Sequence, residues 1–217
     1  MERFYDFADV DFSGNYANEI EVQGKVVSEI VSEHVSFGTA YYDFFLEVPR
    51  LSGTVDFLPI TISQKLIDKE DLITGKEIAL YGQLRSRNHL EDGKSKLKLY
   101  VFTKRVLRNF KTENNSFNRV HLKGAVCKPP VYRKTPAGRD VADVIIAINR
   151  NGNCDYIPCV LWGENARFST SIDVGDILAI RGRFQSREYS KQLSETDIRT
   201  LRAYELSCSK IALCNKK

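Results

Sequence analysis

Apolar and polar residues alternate along most of this chain with the two-residue period of a β-strand. In the second half, residues 118 to 126 alternate, residues 141 to 148 form an apolar run, and residues 155 to 162 alternate again. Residues 164 to 171 leave room for a short helix, residues 177 to 189 read as a long strand, and residues 199 to 213 close the set. The matching strands of the first half are about 18–30, 39–48, 55–63, 77–89 and 95–107. Each half therefore predicts five strands with one brief helical interruption between the third and fourth.

That order is the order of the five-stranded oligonucleotide-binding barrel, the OB-fold. The predicted class is all-β, with two such barrels in tandem. The two halves are also related in sequence, one hundred residues apart. Thr74-Gly75-Lys76-Glu77-Ile78-Ala79-Leu80-Tyr81-Gly82-Gln83-Leu84-Arg85-Ser86-Arg87 lies over Val174-Gly175-Asp176-Ile177-Leu178-Ala179-Ile180-Arg181-Gly182-Arg183-Phe184-Gln185-Ser186-Arg187. Asn18 and Gly24 recur as Asn118 and Gly124, and Asp56-Phe57-Leu58-Pro59 recurs, one residue out of step, as Asp155-Tyr156-Ile157-Pro158. A repeat of about 20–50 residues makes a solenoid; this one is the size of a small domain. The expected organisation is an N-terminal arm (1–17), a divergent first barrel (18–108), a polar linker (109–117), a second barrel (118–213) and a short basic tail (214–217). Asp92-Gly93 has the residues of a tight hairpin turn. Gly93-Lys94-Ser95 is no phosphate loop, because Asn88 stands where that loop needs its earlier glycine.

Composition narrows the functional classes. No stretch approaches the ~18 apolar residues of a membrane span, and the first six residues lack the order of a signal peptide, so a cytoplasmic, nucleoid-associated protein with no membrane partner is expected. The five cysteines make no disulfide framework. Cys154 and Cys159 lie an odd number of residues apart on one predicted strand, so they leave opposite faces and do not share a metal. His34, His89 and His121 are scattered and the carboxylates do not cluster. No enzyme, metal or cofactor is predicted. Residues 1–117 hold 15 Lys+Arg against 18 Asp+Glu, a net of −3, whereas residues 118–217 hold 17 against 10, a net of +7. Only the second half has the electrostatic signature of a polyanion binder.

Strand alternation says which charges and rings share a face. Arg181, Arg183, Gln185, Arg187 and Tyr189 are expected on one side of their strand, opposite Ile180, Phe184 and Ser186. In the preceding strand Tyr156 and Trp162 lie opposite Ile157, Cys159 and Leu161. Bases stack on aromatic faces for about 1–3 kcal/mol each and arginines neutralise the phosphates between them. This face therefore suits single-stranded nucleic acid, although Trp162 next to Val160 has an equal claim to a packing or subunit-contact role. The loop from Tyr132 to Arg139 adds Arg133, Lys134 and Arg139. The first half offers Phe57, Tyr81, Arg85 and Arg87, but Ser63 where the second has Trp162. Its missing ring and acidic balance predict weaker binding there, or a face given over to dimerisation.

The second half resembles the bacterial single-stranded DNA-binding proteins. The resemblance is carried by Asn118-Arg119-Val120-His121-Leu122-Lys123-Gly124, Thr135-Pro136-Ala137-Gly138, Ile146-Ala147-Ile148-Asn149-Arg150, Asp155-Tyr156-Ile157-Pro158-Cys159-Val160-Leu161-Trp162 and Gly182-Arg183-Phe184-Gln185-Ser186-Arg187-Glu188-Tyr189. It implies non-catalytic binding of single-stranded DNA in replication, recombination or repair, with Tyr156, Trp162 and Tyr189 at base-stacking positions and Arg150 at the family's frequent Asn-Arg. It also implies a homodimer, giving four barrels. The family's aromatic after Asn-Arg is absent, and the chain ends in Cys214-Asn215-Lys216-Lys217 rather than an acidic tip, so recruitment of enzymes through such a tip is not expected. The alternative is a primosome-type or mobile-element accessory protein whose barrels bind a protein partner or RNA.

Overall fold

The computed structural model describes residues 17–91, 93–107, 117–150, 152–192 and 198–215. All but the last residue of the arm, all but the last residue of the linker, the end of the basic tail and Asp92 of the predicted turn lie outside the described residues.

Among the described residues, twelve strands and one α-helix follow in the order β1 (Ala17–Val26), β2 (Ser32–Ser36), β3 (Thr39–Pro49), β4 (Val55–Ser63), β5 (Glu77–Glu91), β6 (Lys94–Leu107), β7 (Asn118–Val126), β8 (Val131–Lys134), β9 (Asp140–Arg150), β10 (Asn153–Trp162), α1 (Glu164–Phe168), β11 (Ile177–Gln192) and β12 (Ile198–Asn215). Each half has the five expected strands plus a short extra one, β2 or β8, which hairpins onto the next. The helix is confined to the second half, where a single 3-10 turn at Ser169–Ser171 extends α1. Among the described residues the first half has a 3-10 turn at Lys69–Asp71 in the corresponding place.

Each half closes on itself. In the first, β3-β4-β6-β5-β1 are neighbours, β4 and β6 run parallel, and the end of β1 returns to β3 through Lys25↔Glu47 and Val26↔Leu46. In the second, β9-β10-β12-β11-β7 repeat the arrangement and Val126↔Ile146 closes it. These are two OB barrels. Phe44, Leu46, Leu58, Ile60, Leu80, Leu84 and Leu99 fill the first, and Leu122, Ile146, Ile157, Leu161, Ile180, Phe184 and Leu206 the second, all essentially inaccessible. Burying each such side chain contributes about 1.5–3 kcal/mol.

The repeated glycines mark places where a barrel wall leaves no room. A Cβ on Gly82 would lie 2.2 Å from the Phe102 carbonyl oxygen and one on Gly182 2.3 Å from that of Ser207, both at bulges in the β5–β6 and β11–β12 ladders. The repeated asparagines extend a ladder by one step. Asn18 donates to the Leu84 carbonyl at 2.8 Å and accepts from the Leu84 N–H at 2.9 Å. Asn118 treats Phe184 the same way, at 2.6 and 2.9 Å.

The barrels are not separate bodies. β1 pairs antiparallel with β7 from Ala17↔Lys123 to Val22↔Asn118, which joins all twelve strands into one sheet. Among the described residues no helix is long and apolar enough to cross a membrane.

Candidate nucleic-acid interface

In the second barrel the apolar positions of β10 turn inward, with Ile157, Cys159 and Leu161 at 1% exposure or less. The pleat then turns Tyr156 and Trp162 outward, and they are 44% and 41% exposed. Cys154 is half-buried while Cys159 is buried, so the two thiols do leave opposite faces. The Trp162 indole N–H donates to Ser207 Oγ at 3.2 Å, which fixes the ring edge and leaves much of the ring in solvent. Trp162 is thus a surface residue, not a core one.

A hollow of about 740 Å³ runs from Trp162 to the first barrel. Trp162, Arg133, Arg187 and Arg202 line it from one side, Arg50 and Phe57 from the other. Arg202 caps the Phe57 ring at 4.6 Å from its centroid and pairs with Glu188 at 2.6 Å. Arg187 is well exposed, 3.9 Å from Glu205, and lies 5.8 Å from the Tyr189 ring centroid. Tyr189 itself is 39% exposed. The hairpin loop adds Arg139, which is exposed, and Arg133, 3.2 Å from Asp143. At the root of this hairpin Asp140 accepts from Tyr132 and Arg167 and lies 3.2 Å from Lys134. Those three donors hold its carboxyl down to about 2.

Not every predicted residue joins this group. Arg150 is bound to the fully buried Asp155 at 3.0 Å, and Arg183 to the fully buried Asp56 at 3.1 Å. Both guanidiniums are paired with buried carboxylates, whereas that of Arg187 is 60% exposed. Ile180, Phe184 and Ser186 are buried as the alternation predicts, but on the other face Gln185 is buried too, bonded to Glu205 at 2.9 Å, so that one strand face spans two environments. Arg181 and Arg183 border a different hollow, with Leu51, Ser207 and Lys210. Tyr81 also lies away from Phe57. Its hydroxyl donates to Glu19 at 2.9 Å, Arg105 covers its ring, and burial together with the Glu19 contact pushes its ionisation up. Arg85 sits 3.6 Å from the Phe102 ring centroid, and its burial lowers its affinity for a proton. Arg87 is exposed and 3.3 Å from Asp43.

Two groups were overlooked in the sequence. Asp56, Asp155, Ser86 and Ser186 stand in the repeated segments, and the structure brings them together between the barrels. Arg50 and Arg202 stand outside those segments, and both line the shared hollow.

Residues 117–210 match the description "Single-strand binding protein family". "Single-stranded DNA-binding protein B" of Bacillus subtilis (strain 168) is 35% identical over 85 residues, covering 35% of this chain and 74% of that protein. "Single-stranded DNA-binding protein 1" of Staphylococcus aureus (strain COL) is 36% identical over 83 residues, 35% of this chain and 50% of that protein. The chain thus spans about half the length of that second relative. Wild-type single-stranded DNA binding protein from Thermus aquaticus superimposes with a TM-score of 0.71 at 18% identity, over 94% of this chain and 96% of that one. That likeness is one of fold, and it covers both barrels.

Proposed function

The chain belongs to the single-strand binding protein family, and from that premise we propose that it binds single-stranded DNA without catalysis, in replication, recombination or repair, at the nucleoid in the cytoplasm. The observation that carries this reading is the outward placement of Tyr156 and Trp162 on a strand whose other side is sealed core. Exposed rings on a rigid sheet offer stacking surfaces that cost little to desolvate, and each stacked base contributes about 1–3 kcal/mol. Arg187, Arg133 and Arg139 supply positive charge around them, and Tyr189 continues the row. The test is tryptophan emission during titration with oligo-dT, because Trp162 is the sole indole. Strong quenching that saturates is the expected result. Unchanged emission with no retardation of the oligonucleotide in a gel overturns the reading.

The chain further pairs with a second copy, giving four barrels. Support comes from the outer face of the central strands, where β1 presents Glu19 and Glu21 while β7 and β11 present Arg119, His121, Lys123 and Arg181. Glu19 stands opposite His121, which stands opposite Arg181. A two-fold relation about the β1–β7 seam lays the acidic strand of one copy over the basic strand of the other, as an isologous interface requires. Sedimentation equilibrium at low salt should return twice the chain mass, and a monomer at all concentrations tested would exclude the pairing.

A further inference from the structure

The first barrel lacks a ring at Ser63, its counterpart of Trp162, and by that comparison it is the poorer binder. Ser63 and Trp162, however, lie on one strand of each barrel. On β3 and β6 of the first barrel, Tyr42, Phe44, Leu99 and Val101 are buried, and the alternate residues Tyr41, Phe45, Tyr100 and Phe102 face outward and are half-buried. The ladder registers place these positions where the second barrel has Val141, Ile145, Glu205 and Ser207. The first barrel has therefore not lost its aromatic face. Besides Phe57 on β4, its rings stand on the flanking strands β3 and β6, whereas the second barrel carries Tyr156 and Trp162 on β10.

These rings are interleaved with cations. Tyr41 stacks on the exposed His34 at 5.5 Å and 15° and lies 5.9 Å from Phe102. The Arg85 guanidinium stands over Phe102, and that of Arg87 stands 5.2 Å from the Tyr100 centroid. Phe37, fully exposed at the tip of the β2–β3 hairpin, prolongs the row outward. Asp43, beside these cations, is paired with Arg87 at 3.3 Å. Burial pushes its carboxyl up, but donors from Thr61, Ser32 and Arg87 outweigh that and hold it below its ordinary range. At the other end of the same face Phe57 opens into the hollow shared with Trp162. Rings for bases, guanidiniums for phosphates and continuity with the second barrel's surface all match a single-stranded nucleic acid.

We propose that the first barrel holds a further stretch of the same DNA strand, stacking bases on Tyr41, Tyr100 and Phe102 with Arg85 and Arg87 at the phosphates. The inference rests on the single-stranded DNA reading of the second barrel. It reverses the expectation of a weakly binding first half.

The test uses the full chain and oligo-dT carrying 5-iodo-deoxyuridine, irradiated and mapped by peptide mass spectrometry. Adducts are expected at Tyr156 or Trp162 and also at Tyr41, Tyr100 or Phe102. In parallel, the double variant Phe37→Ala, Arg87→Ala changes two exposed side chains and leaves the core intact. It should bind an oligonucleotide of about 30 nucleotides roughly tenfold more weakly, and one of about 10 nucleotides as the parent does, given ~4–16 nucleotides per OB-fold. Adducts confined to the second half, with the variant binding the long oligonucleotide as tightly as the parent, overturn the inference while leaving the second barrel's role standing. That outcome is also what a face reserved for a protein partner would give. No adducts anywhere and no quenching of Trp162 overturn both.

Discussion

Asp56 accepts the backbone N–H of Ser186 at 2.8 Å from 130 residues away in the chain, and Asp155 accepts that of Ser86 at 2.9 Å. The serine hydroxyls answer, Ser186 Oγ accepting from the Phe57 N–H at 3.0 Å and Ser86 Oγ from the Tyr156 N–H at 2.8 Å. The same exchange is thus made twice, once in each direction between the barrels. It is not made equally: Arg50 and Arg183 both serve Asp56, whereas Arg150 serves Asp155. The reason lies in one substitution within the repeat, since Gln83 stands where the second half has Arg183.

Removing the carboxylate should therefore cost more on one side than on the other. Asp56→Ala leaves two arginines and a backbone N–H without their buried acceptor, and should cost about 3 kcal/mol in denaturant unfolding, the low end for a broken buried pair because the arginines are partly solvated. Asp155→Ala strands one arginine, and its loss should be smaller. Equal losses would mean that Arg183 contributes nothing at this junction.

The salt dependence of DNA binding should separate the arginines by environment. Arg187→Ala should reduce the slope of log affinity against log salt by about 0.7, the value for one phosphate contact on a single strand. Arg150→Ala should leave the slope unchanged and lower the melting temperature, because its guanidinium serves Asp155. An unchanged slope for Arg187→Ala would place phosphate elsewhere.

Trp162→Ala should weaken oligo-dT binding by about 1–3 kcal/mol. Its melting temperature should hardly move, since the residue is 41% exposed and its indole N–H is held only by a surface serine hydroxyl among the described residues. A buried tryptophan would instead cost about 3–5 kcal/mol of stability. Melting temperature and affinity measured on the one variant decide between the two.

Acid should loosen the β8–β9 hairpin at Asp140. Its folded value of about 2 lies below its ordinary 3.8, so the stabilisation is complete above about 4 and is lost as the pH falls from there towards 2. Amide exchange of the hairpin should accelerate across that window in the parent. In Asp140→Asn it should be fast already at neutral pH and no longer depend on pH in that range beyond the intrinsic exchange rate.

The barrel order, the duplication and the inward and outward sides of β10 and β11 were legible because two-residue alternation is a local signal, and a sealed core enforces it. Tyr156 and Trp162 could be placed by counting from Ile157. The fates of Arg150 and Arg183 could not, because each depends on a carboxylate that only strand pairing brings near, Asp56 from the other barrel in the case of Arg183. Asp56 and Ser186 were visible as repeated residues without a role. A repeat shows that a position is used twice, and only the seam between β1 and β7 shows that the two uses face each other. The rings of β3 and β6 went unread because an alignment of the halves along β4 and β10 says nothing of the strands beside them.

The β1–β7 pairing also governs what happens when the halves are parted. Each half cut free would present a bare strand, six residues of which were paired across the seam, with backbone donors and acceptors turned to water. Such an edge is a template for pairing with another like itself. Expressed alone, either half should become a concentration-dependent doublet through that edge or precipitate. Covalent fusion turns an encounter between two molecules into a fixed internal distance, so that the two barrels keep one spacing at any dilution.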